Sequence, residues 1–259
     1  GSVTGATSGL TIGGSNTESG AIALSGGGSL YASAGDALHI GGSNAGLIDI
    51  GTGGFITSAT ANGIVVEKDN AVAGAIRNQY RISAVAGNGI EIVGSNAGLI
   101  ANQTGEYAGT ITAGLDGILV RTDNLAGGEI ENDGTINAGA SGIHVAGTNS
   151  GVLDNNASII AGTNGIEVTG DNAGTQTTYG EIYNGGTIDA TTGILVTGTN
   201  AGLIENNSGS IGATDDRVVT GIQVATANTG AILNDASVKI YASGDAILVG
   251  GGTTPANNS

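Results

Sequence analysis

The sequence predicts an all-β fold, a right-handed parallel β-helix, or β-solenoid, of about ten coils. Three observations predict it: a repeat of 23 to 28 residues, three short alternating apolar segments in each repeat, and a composition with 51 Gly and one Pro among 259 residues. Apolar residues make up 39% of the chain and only 3% is aromatic, so Ile, Val, Leu and Ala must form the core. Because a repeat protein extends one core unit by unit, we expect a single domain over residues 1–259.

The first segment of each repeat is an apolar pair separated by one residue and followed by an Asn. It begins with Leu10, Ile12 and Asn16, and nine of ten repeats keep the spacing, while the tenth has Ile247 and Val249 without the Asn. Alternation of this kind is typical of a strand with one buried face. The nine Asn residues are Asn16, Asn44, Asn70, Asn96, Asn124, Asn149, Asn172, Asn200 and Asn228. Stacked amides can donate and accept hydrogen bonds from coil to coil, which favours a structural ladder over a binding row.

Each repeat contains two further alternating segments. One is Gly-x-[Ile/Leu]-x-Asn, as in 202–206, and the other is Gly-[Thr/Ser]-Ile-x-Ala, as in 134–138. Three segments predict three strands per coil and a roughly triangular cross-section. The coils are longer than the roughly eighteen residues of three hexapeptides, which favours the right-handed form. The middle segment adds a second Asn row, for which the structural explanation is also favoured: Asn78, Asn102, Asn132, Asn155, Asn184, Asn206 and Asn234. Carboxylates that flank it, such as Glu129 and Glu131, leave loose cation binding as an alternative.

A small polar residue lies two positions before each first-segment apolar residue, and Gly usually follows it. Asn88-Gly89 and Asp116-Gly117 are examples. We expect these glycines to supply a positive φ where the chain turns a corner.

The charge balance excludes several partners. Six Lys and Arg residues against 22 Asp and Glu residues give a formal net charge of −16, which opposes binding to nucleic acid. No stretch approaches about eighteen consecutive apolar residues, so no membrane-spanning helix is expected in this segment. The absence of Cys removes disulfides, thiolate metal sites and thiol catalysis.

Residues that carry chemistry are few, and we expect no enzyme, no catalytic residue and no cofactor. His39 and His144 occupy the outward middle position of the first strand. Four coils separate them, about 19 Å, so they cannot share a metal and are expected to be solvated. Asp215 and Asp216 are weak candidates for a calcium site or a carboxylate pair. Adjacent residues on an extended chain point in opposite directions, which favours a plain charged loop.

A row of hydroxyl side chains precedes the inward apolar residue of the third segment. Its members are Ser2, Ser29, Thr110, Thr135, Ser158, Thr187 and Ser210. Flat hydroxyl rows can order water or bind glycans and ice. Phe55, Arg81 and Lys239 interrupt the row, and β-propensity also selects Ser and Thr on an exposed strand face, which is the favoured explanation.

Repeats such as Gly-Thr-Ile-Asn-Ala, Gly-Ile-His-Val-Ala-Gly-Thr-Asn and Ala-Gly-Leu-Ile-Glu-Asn resemble those of autotransporter passenger domains and related filamentous surface adhesins of Gram-negative bacteria. The resemblance covers nearly the whole chain, but it is one of repeat style and carries no functional residue with it. It implies a structural or adhesive role outside the cell or at the bacterial surface. The alternative is a polysaccharide-binding or polysaccharide-processing β-helix. Pectate-lyase-like enzymes share the architecture, but they need clustered Asp, Lys and Arg on one face.

No capping helix or hairpin is visible at either end of the sequence. An uncapped solenoid exposes an apolar cross-section and unpaired strand edges. We therefore expect either a piece of a longer rod or a subunit that associates end to end, with a glycan or host-surface ligand as a further partner.

Overall fold

The protein is a parallel β-solenoid with three strands in each coil. A computed structural model describes residues 1–103, 108–174, 180–212 and 217–250. Three parallel sheets of ten, ten and nine strands run through these residues, and each interior strand pairs with the equivalent strands of the preceding and following coils. The predicted all-β class and three strands per coil are confirmed. Within the described ranges, no helix is long and apolar enough to cross a bilayer.

The strands are named in chain order and grouped by sheet. The first sheet contains β2 (Leu10–Ile12), β5 (Leu38–Ile40), β8 (Ile64–Val66), β11 (Ile90–Ile92), β14 (Ile118–Val120), β17 (Ile143–Val145), β20 (Asn164–Val168), β23 (Thr192–Val196), β26 (Thr220–Val224) and β29 (Ile247–Val249). The second sheet contains β3 (Ala21–Leu24), β6 (Leu47–Ile50), β9 (Ala75–Asn78), β12 (Leu99–Asn102), β15 (Glu129–Asn132), β18 (Val152–Asn155), β21 (Glu181–Asn184), β24 (Leu203–Asn206) and β27 (Ala231–Asn234). The third sheet contains β1 (Ser2–Gly5), β4 (Ser29–Ala32), β7 (Phe55–Ser58), β10 (Arg81–Ala84), β13 (Thr110–Ala113), β16 (Thr135–Ala138), β19 (Ser158–Ala161), β22 (Thr187–Asp189), β25 (Ser210–Ile211) and β28 (Lys239–Ile240).

The core is a set of aligned aliphatic columns. In the first sheet Ile64, Ile90 and Ile118 are direct neighbours in adjacent strands, and all three are fully buried. Each strand alone is too short to cover its apolar face, so burial of these side chains requires the coils above and below. Burying an Ile side chain contributes roughly 1.5–3 kcal/mol, and the columns repeat this gain along the rod.

The corner glycines before the first strand are required for space, and the expectation that they supply positive φ is wrong. Positive φ occurs in the described chain at Gly26, Gly27, Gly53, Gly127, Gly180 and Gly212, and none of these precedes a first strand. At Gly117 an added Cβ would lie 2.4 Å from Ile136 Cγ2 and 2.5 Å from the carbonyl oxygen of Gly142. The corner brings the core of one sheet and the backbone of the next coil together there, so any side chain would collide with both.

We expect Gly117→Ala to destabilise the protein by about 1–3 kcal/mol because the methyl group would overpack this corner. Gly14→Ala is the matched control, because nothing lies within 4 Å of a Cβ at that position. Urea denaturation followed by circular dichroism would compare the two variants with the wild type. Equal midpoints for both variants would contradict the close-approach explanation.

Candidate functional site

The nine Asn residues of the first row form a continuous buried ladder. The Nδ2 atom of each Asn donates to the Oδ1 atom of the next, over 2.6–2.9 Å from Asn16 to Asn228. Asn44 through Asn200 are fully buried, and the backbones of successive members also pair. The amides have no exposed surface with which to contact a ligand, so the ladder is a structural element. Every bond between ladder members is donated toward the C-terminal coil, which gives the ladder a direction.

A second ladder of Asn side chains lies at the C-terminal ends of the strands of the second sheet. It extends from Asn78 to Asn234, with Nδ2–Oδ1 distances of 2.7–2.8 Å. The aligned positions in the two preceding strands are Leu24 and Ile50. The same column is therefore apolar in the first coils and polar in the rest.

The outer face of the first sheet carries partly buried His–Asp contacts, so the two His residues are less solvated than expected. The His39 side chain is 27% exposed, and its Nδ1 atom lies 3.1 Å from Asp36 Oδ2. The His144 side chain is 20% exposed, and its Nδ1 atom lies 3.1 Å from Asp116 Oδ2. Asp36 lies at the corner of the same coil as His39, whereas Asp116 lies at the corner of the coil before that of His144. The two His residues lie on β5 and β17, four strands apart in the first sheet.

Two glutamates on the same face are also held by neighbouring corners. Glu91 is only 4% exposed, accepts a hydrogen bond from Asn88 Nδ2 at 2.9 Å and pairs with Arg121. Glu167 accepts from Ser141 Oγ at 2.6 Å and from Asn164 Nδ2 at 2.9 Å. The Glu91–Arg121 pair and the Ser141–Glu167 hydrogen bond join neighbouring coils, so the outer face of the first sheet also stabilises the stack.

His144 lies beside a cleft of about 440 Å³, lined by Leu115, Leu119, Asp116 and Arg121 among others. Its Nε2 atom lies 3.0 Å from Thr169 Oγ1, so a carboxylate, an imidazole and a hydroxyl are in contact in that order. Acyl transfer also needs backbone N–H groups that stabilise an oxyanion. The amides of Thr169 and Gly170 donate instead to carbonyl oxygens of the preceding coil. These two amides are therefore not available to stabilise an oxyanion beside Thr169.

The pKa of His144 reflects opposing effects. Burial alone lowers it, but the hydrogen bond with Asp116 and the negative charges of Glu167 and Asp116 outweigh burial, so the pKa is raised above its usual value. The protonated ring is accordingly favoured in the folded protein.

Carboxylates cluster on the outer face of the second sheet. Glu131 and Asp154 are direct neighbours in adjacent strands, and Glu129 and Asp133 flank Glu131. Burial, followed by repulsion from Asp133 and Glu129, raises the pKa of Glu131 to about 7. Burial is also the largest cause that raises the pKa of Asp154. When all of these carboxylates are ionised, their mutual repulsion destabilises the folded state.

The described residues include no group of three or more His, Asp or Glu that could hold a metal ion. Asp215 and Asp216 lie outside the described residues. Arg217, which follows them, contacts Asp189 with 3.6 Å between Nη2 and Oδ2.

The sequence did not indicate the cross-coil partners of the outward residues. The repeat pattern places Asp116 at the small polar corner position and Glu167 at the outward middle position of a strand. It does not show which of these side chains meet, because that depends on the conformation of the corners. Comparisons with protein-family models, with curated proteins and with solved structures found no match.

Proposed function

We propose that the chain is a rod segment of a structural or adhesive protein that is secreted or displayed on a bacterial surface. The observation that carries this proposal is the uninterrupted coil-to-coil pairing of three sheets, reinforced by two buried Asn ladders. Such a stack resists bending because each coil is bonded to the next by three sheets and by one or two Asn columns. The repeat style shared with filamentous surface adhesins supports the surface location.

The rod is proposed to extend head to tail. Among the described residues, strands β1, β2 and β3 each have one paired edge, as do β27, β28 and β29. All pairing is parallel and both ladders donate toward the C-terminal coil, so only a copy in the same direction continues the bonds. Two N-terminal coils facing each other would bring acceptor against acceptor in the first ladder.

A proline in the outermost strand of the first sheet tests this proposal. Leu10 donates to Ala37 and Ile12 accepts from Gly41, so both backbone groups of Thr11 between them face away from the neighbouring coil. We expect Thr11→Pro to remove a donor from the open edge only, because proline is tolerated on edge strands. In light scattering the average particle mass of the wild type should increase with protein concentration, whereas Thr11→Pro should remain monomeric.

Thr11→Val keeps the donor and is the matched control, which should assemble like the wild type. Discrete wild-type monomers over the whole concentration range would refute head-to-tail extension. Assembly of Thr11→Pro at the wild-type concentration would show that this edge is not the contact.

A further inference from the structure

Two of the three residues that interrupt the hydroxyl row of the third sheet lie together at one cleft. Phe55 and Arg81 are direct neighbours in adjacent strands, and Thr110 is the next residue in the row. Tyr80 packs its ring against Phe55, with centroids 5.0 Å apart and planes at 86°. These residues, with Ala108 and Thr112, line a cleft of about 260 Å³.

The composition makes this grouping unusual. Phe55 is the single Phe of the chain, and Arg81 is one of only six basic residues against 22 acidic ones. Both rings are partly exposed and Arg81 is exposed. Within the described ranges no carboxylate lies within ion-pair distance of Arg81, whereas Arg121 and Arg217 each have a carboxylate partner. The cleft therefore presents an aromatic surface, two hydroxyls and an unpaired guanidinium on an otherwise acidic protein.

This combination matches the chemistry of a sugar that carries a carboxylate. Aromatic rings pack against the apolar C–H face of a sugar, hydroxyl side chains exchange hydrogen bonds with its hydroxyls, and a guanidinium binds a carboxylate through two parallel N–H donors. An acidic peptide fits less well. Recognition of an extended peptide by strand addition needs a free sheet edge, and β10 is paired on both sides.

We propose that Phe55, Tyr80, Arg81, Thr110 and Thr112 form a binding site for a uronic acid residue of an acidic glycan. Arg81 binds the carboxylate, the rings of Phe55 and Tyr80 contact the sugar ring, and the two Thr hydroxyls bind its hydroxyls. The site lies on the side of the rod, so it does not depend on head-to-tail extension. It would give a rod with adhesive function a defined ligand.

Titration of the ¹⁵N-labelled full chain with methyl glucuronide and methyl galacturonide tests the proposal, with the corresponding neutral methyl glycosides as matched ligands. At least one uronide should bind in roughly the millimolar range and shift the amides of β7, β10 and β13, and its neutral counterpart should bind about tenfold more weakly. Arg81→Gln should weaken uronide binding about tenfold through loss of the charge-assisted hydrogen bonds. Phe55→Ser, which restores the hydroxyl of the row, should also weaken it severalfold.

Lys239→Gln is the matched control, because it removes one positive charge from the same row six strands further along the sheet. It should leave uronide affinity within about twofold of the wild type. The proposal is overturned if neither uronide shifts these amides, if neutral and acidic sugars bind equally, or if Arg81→Gln binds like the wild type. It is also overturned if glutarate binds as tightly as the uronides, since charge alone would then explain binding. Thermal melts of every variant establish that it is folded.

Discussion

Replacing Asn132 by Leu in the middle of the second ladder is expected to lower the free energy of unfolding by about 2–5 kcal/mol. Asn132 is fully buried, accepts from Asn102 Nδ2 at 2.7 Å and donates to Asn155 Oδ1 at 2.7 Å. A Leu of similar size fills the space but leaves a donor and an acceptor buried without partners. Leaving each such group unsatisfied costs roughly 1–3 kcal/mol.

Asn78→Leu is the matched control at the end of the same ladder. The aligned residue in the preceding coil is Ile50, so the replacement extends an apolar column and removes one ladder bond, to Asn102 Oδ1, instead of two. It also removes two longer hydrogen bonds, from Nδ2 to Thr110 O at 3.2 Å and from Tyr80 N to Oδ1 at 3.4 Å. We expect it to cost less than half as much as Asn132→Leu. Chemical denaturation of both variants gives the comparison. A cost for Asn78→Leu equal to that of Asn132→Leu would contradict the account, as would wild-type stability of Asn132→Leu.

The second large effect is stabilisation of the protein by mild acid. Burial and the neighbouring carboxylates raise the pKa of Glu131 from 4.5 to about 7, so between these values the folded protein holds a proton that the unfolded chain has lost. Stability therefore rises as pH falls from about 8 to about 5. Because Glu131 is partly exposed, solvent screening reduces its contribution to on the order of 1–2 kcal/mol.

Asp154 and His144 act in the same direction. The pKa of Asp154 is raised chiefly by burial, so its ionised form is disfavoured in the folded state. The pKa of His144 is raised by Asp116 and Glu167 in spite of burial, so its protonated form contributes stability that is lost as pH rises through the folded pKa. All three groups make the folded state bind more protons than the unfolded chain at mildly acidic pH.

Thermal unfolding of the wild type and Glu131→Gln between pH 5 and pH 8 tests this prediction. Glu131→Gln should be more stable than the wild type at pH 8 and should show a flatter pH dependence. Glu18→Gln removes an exposed carboxylate elsewhere and should keep the wild-type profile. A wild-type stability that rises from pH 5 to pH 8 would contradict the assignment.

The sequence was sufficient for most of the fold because stacking forces equivalent residues into columns. Leu10, Ile64 and Ile118 could be aligned from spacing alone, and the structure places them in one sheet as β2, β8 and β14. Insertions between strands did not disturb this alignment, since loops absorb them without shifting the strand register. The positions of the corner glycines were predicted correctly, but their role was wrongly assigned to positive φ. The sequence does not show that Ile136 and Gly142 lie next to Gly117, which only the structure reveals.

The candidate sites were less predictable because they depend on the shape of the corners. His144 contacts Asp116, 28 residues earlier, at the corner of the preceding coil, whereas the equivalent His39 contacts Asp36 of its own coil. Phe55 and Arg81 were recognised only as interruptions of a hydroxyl row. The proposed site at Phe55 and Arg81 also needs Tyr80, a corner residue whose ring packs against Phe55 of the preceding coil. Strand periodicity carries no signal for such contacts between a strand and the corner of another coil.

Electron cryomicroscopy of the purified chain at increasing concentration tests the central claim most directly. The account predicts rods one solenoid wide, with an axial repeat of about 4.8 Å that continues without a break across the junctions between copies. Separate particles, each consisting of a single copy of the chain and without end-to-end contact even at the highest concentration, would contradict it.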